Sequence, residues 1–534
     1  MPLSRRRFFQ QSLAVASTAC IPTFEAGGQE ESAAGIRRYN LSVSIDALKA
    51  DPGLLETVRD AGVSSLWLAC FFHGKWHHSV EEVAEWTRRI GEAGMGVHHI
   101  TVPLGHPSFT DKAPDYSAPV SHSGWKPGTR PDGKTYWGVS LHPPATQQNV
   151  EALREIKAAD PGTVFLDDDF RLAPSPHDIG GCFCEEHREE FLRRHGYGEG
   201  QWTELLEAVR ERRLTPILRA WVEDVGCELT DSFTRQRKAA QPEMELGIMV
   251  MYLGSEKAGI RLSDYTDVPF RVGELMFDDA SFSPVKGKTD ELFSSLFHRR
   301  FVEPERAYSE TTAWPPDKLS AANMAAKLAV STISDVRNTM FMSGIVAFPR
   351  THWETLGPAM RKQAQTHRQV AGHKPVGPFK HFWGEHSRWV GDANPFSLFM
   401  AAGVPFEVTD RLGTDGWTFL SDADARAAAE GKLASPGTSL LSRGATGSAL
   451  PNGRHIEESL EALFAVKREI LPQLGNVPYV REEVPVVCAW YPTTNAVLLW
   501  NLTEKPQKLT LVFDRRERET TLSALDTALL SGIA

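Results

Sequence analysis

Short apolar runs alternate with amphipathic stretches along most of the chain, a pattern that predicts parallel α/β architecture. Strands are predicted at 41–45, 65–71, 96–103, 163–166, 246–253, 271–277, 306–309 and 339–348. Helices are predicted at 52–61, with Gly62 as the stop, and at 80–93, 147–159, 185–195, 214–239, 320–332 and 356–371. Within 80–93, Val80, Val83, Ala84, Trp86 and Ile90 recur at roughly helical spacing and mark one buried face. Eight strands with intervening helices over 36–377 suit a (β/α)8 TIM barrel with insertions. A doubly wound sheet is the alternative fold, but no glycine-rich phosphate loop follows the first strand.

The pattern changes after Gly377. A helix, turn and strand over 396–408, a strand at 417–420 leading to the N-cap Asp422-Ala423-Asp424, and a helix at 455–470 predict a small α/β domain over 378–480. The segment 445–453 reads as a surface loop. Alternating strands at 486–490, 496–500, 507–512 and 518–522 predict a C-terminal β-sheet domain over 481–534.

The segment 163–172, TVFLDDDFRL, is the main pointer to chemistry. Thr163, Val164, Phe165 and Leu166 are β-formers heading through a core that would not tolerate three successive carboxylates. Asp167, Asp168 and Asp169 are therefore expected where the strand leaves the core, at the carboxyl-end mouth where barrels place their active sites. The plainer reading is a solvated strand end with one aspartate capping a turn. Glu310 follows the seventh predicted strand. Segment 108–144 is rich in Pro, Gly and Ser with Trp125, Tyr136 and Trp137 interleaved, and a loop this long is expected to act as a lid.

Composition excludes some partners. Of 534 residues, 41% are hydrophobic and 24% charged, ordinary for a globular protein, and the net charge of −10 argues against nucleic acid or anionic membrane as the main partner. No 18-residue apolar run predicts a transmembrane span. The first 35 residues read as a targeting segment. Ser4-Arg5-Arg6-Arg7-Phe8-Phe9 resembles the twin-arginine export signal, a weakly apolar stretch follows over 12–24, and a polar linker runs to Gly35. The expected location is the periplasm or the extracellular space. Cys20 sits in a poor lipobox, so cleavage is favoured over a lipid anchor. The remaining cysteines, Cys70, Cys182, Cys184, Cys227 and Cys488, form no disulfide framework. Cys182-Phe183-Cys184-Glu185-Glu186-His187 could hold a metal with ligands from elsewhere, but it fits no common zinc spacing, so two packed thiols are favoured and no metal or cofactor is expected.

Several features resemble clan-A glycoside hydrolases, specifically the β-galactosidase group with its barrel, amidotransferase-like middle domain and small C-terminal β-domain. Leu166-Asp167-Asp168-Asp169-Phe170 stands where that group has an apolar residue, Asp, Asn, the acid/base Glu and an aromatic. Tyr308-Ser309-Glu310-Thr311-Thr312 matches the nucleophile position after strand 7, and the Cys-Phe-Cys loop resembles the loop after strand 4. The resemblance implies glycosidic bond cleavage, a carbohydrate substrate and a tendency to oligomerise. Asp169 replaces the group's Glu and Asp168 its Asn, and the shorter side chain reaches less far.

Glycoside hydrolysis needs one protonated carboxyl to release the leaving group and one ionised carboxyl to attack the anomeric carbon or activate water. The expected nucleophile is Glu310. The expected acid/base is Asp169, with Asp168 as the alternative; retention of configuration is favoured, with inversion left open by the shorter aspartate side chain. Sugar rings also need apolar faces and polar partners. Trp314 and Trp353 are the aromatic candidates, while Asp167, Arg171, His73, His106, Asp279, Arg350 and His352 are candidates for binding hydroxyls or charged substituents. Two other readings stand beside this one: a carbohydrate-binding barrel without turnover, and a metal-dependent hydrolase using Asp167 to Asp169 with His98, His99 or the strand 2 histidines.

Overall fold

The computed structural model describes residues 37–72, 75–104, 125–167, 170–273, 275–433, 438–443 and 453–533. Asp168, Asp169, His73, His106 and the proposed leader lie outside them.

Eight parallel strands form the barrel: β1 (Arg38–Val43), β2 (Ser65–Phe72), β3 (Gly96–Val102), β4 (Thr163–Leu166), β5 (Glu245–Met251), β6 (Phe270–Gly273), β7 (Ala307–Thr312) and β8 (Asn338–Met342). Each pairs in parallel with its neighbours, and β1 pairs with both β8 and β2, which closes the ring. Period-two alternation sorts the side chains. On β2, Leu66, Leu68 and Cys70 join the large outer core under the helices. Trp67 points instead into the ring, where it packs with Ile100, Phe165, Met340 and Met342. Gly247 leaves room for this filling, because a Cβ there would stand 2.5 Å from the Phe165 ring.

The helices are α1 (Leu54–Ala61), α2 (Val80–Glu92), α3 (Ala145–Ile156), α4 (Pro216–Ala240), α5 (Val285–His298), α6 (Ala321–Ile333) and α7 (Arg350–Val370), with two further helices, Glu185–His195 and Glu199–Glu211, before α4. Gly62 ends α1 in the left-handed region at φ 114°, as its place in the sequence suggests. Between β5 and β6 the chain makes only short 3-10 turns, so the expected βα alternation is interrupted there.

Beyond the barrel, β9 (Phe379–Phe382), β10 (Phe406–Thr409), β11 (Trp417–Leu420), β12 (Ser439–Ser442) and β13 (Gly453–His455) form a parallel sheet in the order β10-β9-β11-β12-β13. Lys257 Nζ donates to the Gly391 carbonyl at 2.6 Å, and Arg388 Nη2 pairs with Glu256 at 2.6 Å, which ties this layer to the barrel. At the C-terminus, β14 (Tyr479–Val480), β15 (Val486–Tyr491), β16 (Ala496–Asn501), β17 (Gln507–Phe513), β18 (Arg516–Leu522) and β19 (Thr527–Ser531) form two antiparallel sheets, β14-β17-β18 and β15-β16-β19. Among the described residues no helix is long and apolar enough to cross a membrane.

Candidate active site

Glu310 lies within β7 rather than at its tip, because the β-branched Thr311 and Thr312 extend the ladder two residues further. On its strand it shares a face with Tyr308 and Thr312, and Tyr308 packs with the residues that fill the ring. Glu310 is 2% exposed. Its partner in charge is Arg271 of β6, which is fully buried and whose Nε stands 3.0 Å from Glu310 Oε2. The geometry is a close approach of charges rather than an aligned hydrogen bond. The same guanidinium binds the Asp167 carboxylate through Nη2. Its Nη1 and Nη2 also donate to Met340 Sδ at 3.1 Å and Met249 Sδ at 3.0 Å, and its carbon lies 5.5 Å from the Phe165 ring centroid. The Thr312 hydroxyl donates to Glu310. Carboxylates following strand 4 and lying within strand 7 thus meet at one cation inside the barrel.

Arg271 was not singled out by sequence, although an arginine in a strand that fills a barrel is tolerable only beside carboxylates. That requirement is the signal that could have found it.

The remaining candidates separate. Trp314, two residues past β7, is 49% exposed. Trp353 is corrected: α7 begins at Arg350, six residues earlier than expected, so Trp353 falls in its first turns and its ring packs edge-on against Phe341 and Phe348 at 3% exposure. On the same turn Arg350 Nε pairs with Asp51 at 2.7 Å, and His352 Nε2 stands 3.2 Å from the Leu319 carbonyl. Asp279 is likewise taken up by structure, because its carboxylate accepts from Ser320 N and Asn323 Nδ2, both at 2.8 Å, at the start of α6. Arg171 is buried, with Nε donating to the Ala173 carbonyl at 3.0 Å.

His98 and His99 stand near the amino end of β3, away from the carboxyl-end mouth. His98 Nδ1 accepts from Thr163 N at 3.2 Å, and His99 contacts the Thr87 hydroxyl at 3.2 Å. Burial lowers their pKa values to about 4 and about 3. They are packed imidazoles.

The two thiols expected to be packed have company that the sequence does not place beside them. His142, Cys182, Cys184 and His187 bring four donor atoms within 4.8 Å of one another. His142 Nε2 lies 3.3 Å and His187 Nδ1 3.2 Å from Cys184 Sγ. The opposite ring nitrogens point at carboxylates, His142 Nδ1 to Glu186 at 2.9 Å and His187 Nε2 to Glu228 at 3.0 Å. This is the outer-shell pattern that orients metal-binding imidazoles. Burial opposes charge on His187, yet Cys182 and Glu228 outweigh it and carry its pKa up to about 11. The donor chemistry fits a closed tetrahedral site for zinc. A cleft of about 280 Å³ is lined by two of the four donors, Cys182 and His187, together with Glu228. Sequence missed the site because His142 lies far upstream of the Cys-x-Cys-x-x-His run.

No protein-family profile matches the chain, and no curated protein does. Among solved structures, α-L-fucosidase isoenzyme 2 from Paenibacillus thiaminolyticus aligns with 90% of this chain and 93% of its own length, at 10% identity and a TM-score of 0.58. A catalytic mutant of Gan42B, a GH42 β-galactosidase from G. stearothermophilus, aligns with 93% of this chain and 98% of its own, at the same identity and TM-score. At such low identity the likeness is one of fold, a parallel (β/α)8 barrel followed by further sheets.

Proposed function

Starting from that fold, we propose that the chain is an exported glycoside hydrolase that cleaves an O-glycosidic bond by double displacement. Glu310 is the nucleophile, and Asp169 is the acid/base with Asp168 as the alternative. The observation that carries this reading is the shared guanidinium: Arg271 pairs with both Glu310 and the first member of the aspartate run. Asp167 is bound there as an anion, whereas a general acid must hold a proton when the leaving group departs, so the role passes to the two residues that follow it. Double displacement needs the two carboxyl groups about 5–5.5 Å apart, whereas activation of water needs about 6.5–9.5 Å. Trp314 supplies an apolar face for the ring. The fucosidase and β-galactosidase that share the fold support a carbohydrate substrate, and the Arg5-Arg6-Arg7 leader supports export.

A zinc ion at His142, Cys182, Cys184 and His187 would tie the end of the 125–144 segment to the loop after β4. With four protein donors it leaves no open position and supplies no step of the reaction.

A second reading, a carbohydrate-binding barrel without turnover, draws on the burial and ion pairing of Glu310. A panel of α- and β-aryl glycosides separates the two, with the configuration of the first-formed product followed by NMR. Turnover with retention supports hydrolysis by double displacement, and saturable glycan binding without turnover supports the second reading.

A further inference from the structure

We propose that Lys257 and Arg212 are positioning residues that make the middle domain part of the frame holding the loop after β4, and through that loop the acid/base. The inference deepens the reading above and rests on it, because that reading puts the acid/base immediately before Phe170.

The loop is anchored from its first residues. Phe170 and Leu172 are buried, and Leu172 N donates to the Ala258 carbonyl at 2.9 Å. Gly181 N donates to the Leu172 carbonyl at 2.6 Å and Gly180 N to the Lys257 carbonyl at 2.7 Å. Both ends of the loop thus meet the turn Glu256–Ala258, which follows β5. The approach is backbone to backbone: a Cβ on Gly180 would stand 2.5 Å from the Leu172 carbonyl oxygen and 2.9 Å from Ala258 Cα.

The same turn holds the middle domain. Lys257 is 1% exposed, and burial lowers its pKa to about 7. A methionine would fill that space without burying an amine. What the lysine adds is the bond from Nζ to the Gly391 carbonyl at 2.6 Å. Arg212 Nη1 donates to the same carbonyl at 2.7 Å and to that of Val390 at 3.0 Å, while Nη2 donates to the His177 carbonyl within the loop. His177 Nδ1 in turn stands 2.7 Å from the Asp392 carbonyl. Arg212 caps the helix Glu199–Glu211 in the left-handed region at φ 51°, a strained conformation for a residue with a Cβ. The side chain kept there at that cost grips the loop and the middle domain at once.

A general acid acts only within reach of the leaving oxygen, and a displacement of about 1 Å costs up to about a hundredfold in rate. A dinitrophenolate departs without a proton, whereas the more basic phenolate needs one. A misplaced acid therefore slows a phenyl glycoside and spares a dinitrophenyl glycoside, while a general loss of structure slows both.

The test compares kcat/KM, which covers the steps up to departure of the leaving group, on phenyl and dinitrophenyl glycosides of the sugar that the full-length protein hydrolyses. Arg212→Gly and Lys257→Met should each lose at least about tenfold on the phenyl glycoside and less than about threefold on the dinitrophenyl one. Equal losses on the two substrates, or an unchanged phenyl rate, would overturn the proposal. Should Lys257→Met fail to fold, Arg212→Gly decides alone, because glycine takes φ 51° without strain and keeps the helix end. Activity retained by Glu310→Gln would remove the functional reading itself, a result separate from the ratio between the two glycosides.

Discussion

Removing one ligand of the cysteine–histidine cluster gives a prediction with a size set by geometry. With metal–sulfur bonds of about 2.3 Å and metal–nitrogen bonds of about 2.0 Å, a tetrahedral donor set has edges of roughly 3.3–3.8 Å. The edges from Cys184 Sγ to His142 and His187 are 3.3 and 3.2 Å, and no pair among the four exceeds 4.8 Å. A zinc ion therefore needs only a small contraction of side chains already oriented by Glu186 and Glu228. Binding confined to the folded chain stabilises it by about 4 kcal/mol when free metal stands a thousandfold above its dissociation constant. The purified protein should contain about one zinc per chain by elemental analysis. Cys184→Ser should lower both the zinc content and the urea midpoint, and a strong chelator should bring wild type down to the variant. Protein that folds with no bound metal, takes up none from micromolar zinc and has a chelator-insensitive midpoint would refute the assignment.

Two other predictions concern separate parts of the chain. Asp424 is buried in the middle domain, where Gly384 N and Ser387 Oγ donate to it at 2.8 and 2.5 Å, and burial raises its pKa from 3.8 to about 6. The folded state then binds more protons than the unfolded one between these values, so stability is greatest below about pH 4 and falls as pH rises through about 6, by about 3 kcal/mol from this group. Asp424→Asn should flatten that slope in unfolding measured from pH 4 to 7, and an unchanged slope would discount the group. Trp314→Ala removes the exposed ring past β7 and should raise KM by about tenfold with little change in kcat, the size expected of one stacking contact; a loss confined to kcat would place Trp314 in the chemistry instead.

The barrel was legible because its strands carry local signals. Thr163 to Leu166 is a run of β-formers bounded by Gly162 and a carboxylate, and β4 spans the same four residues. Strand ends were harder where a single residue misleads. Glu310 reads as a terminus, yet a carboxylate can stand inside a strand when another strand brings a cation, and sequence pattern does not show that Arg271 is adjacent. At β8 the expected strand to 348 stops at Met342, because Gly344 turns the chain at φ 55°. Trp353 looked like a mouth residue because the start of α7 was placed too late, and an apolar ring on a helix turn toward the core is packing. The four candidate metal donors had suitable residue types, but only folding brings His142 to the Cys182–His187 run.

The most direct test of the central claim is the hydrolysis of an aryl glycoside by wild type and by Glu310→Gln, compared at equal folded concentration. The account predicts turnover by wild type and a loss of at least about a thousandfold in kcat in the variant, with substrate binding retained. Equal turnover by the two proteins would contradict it.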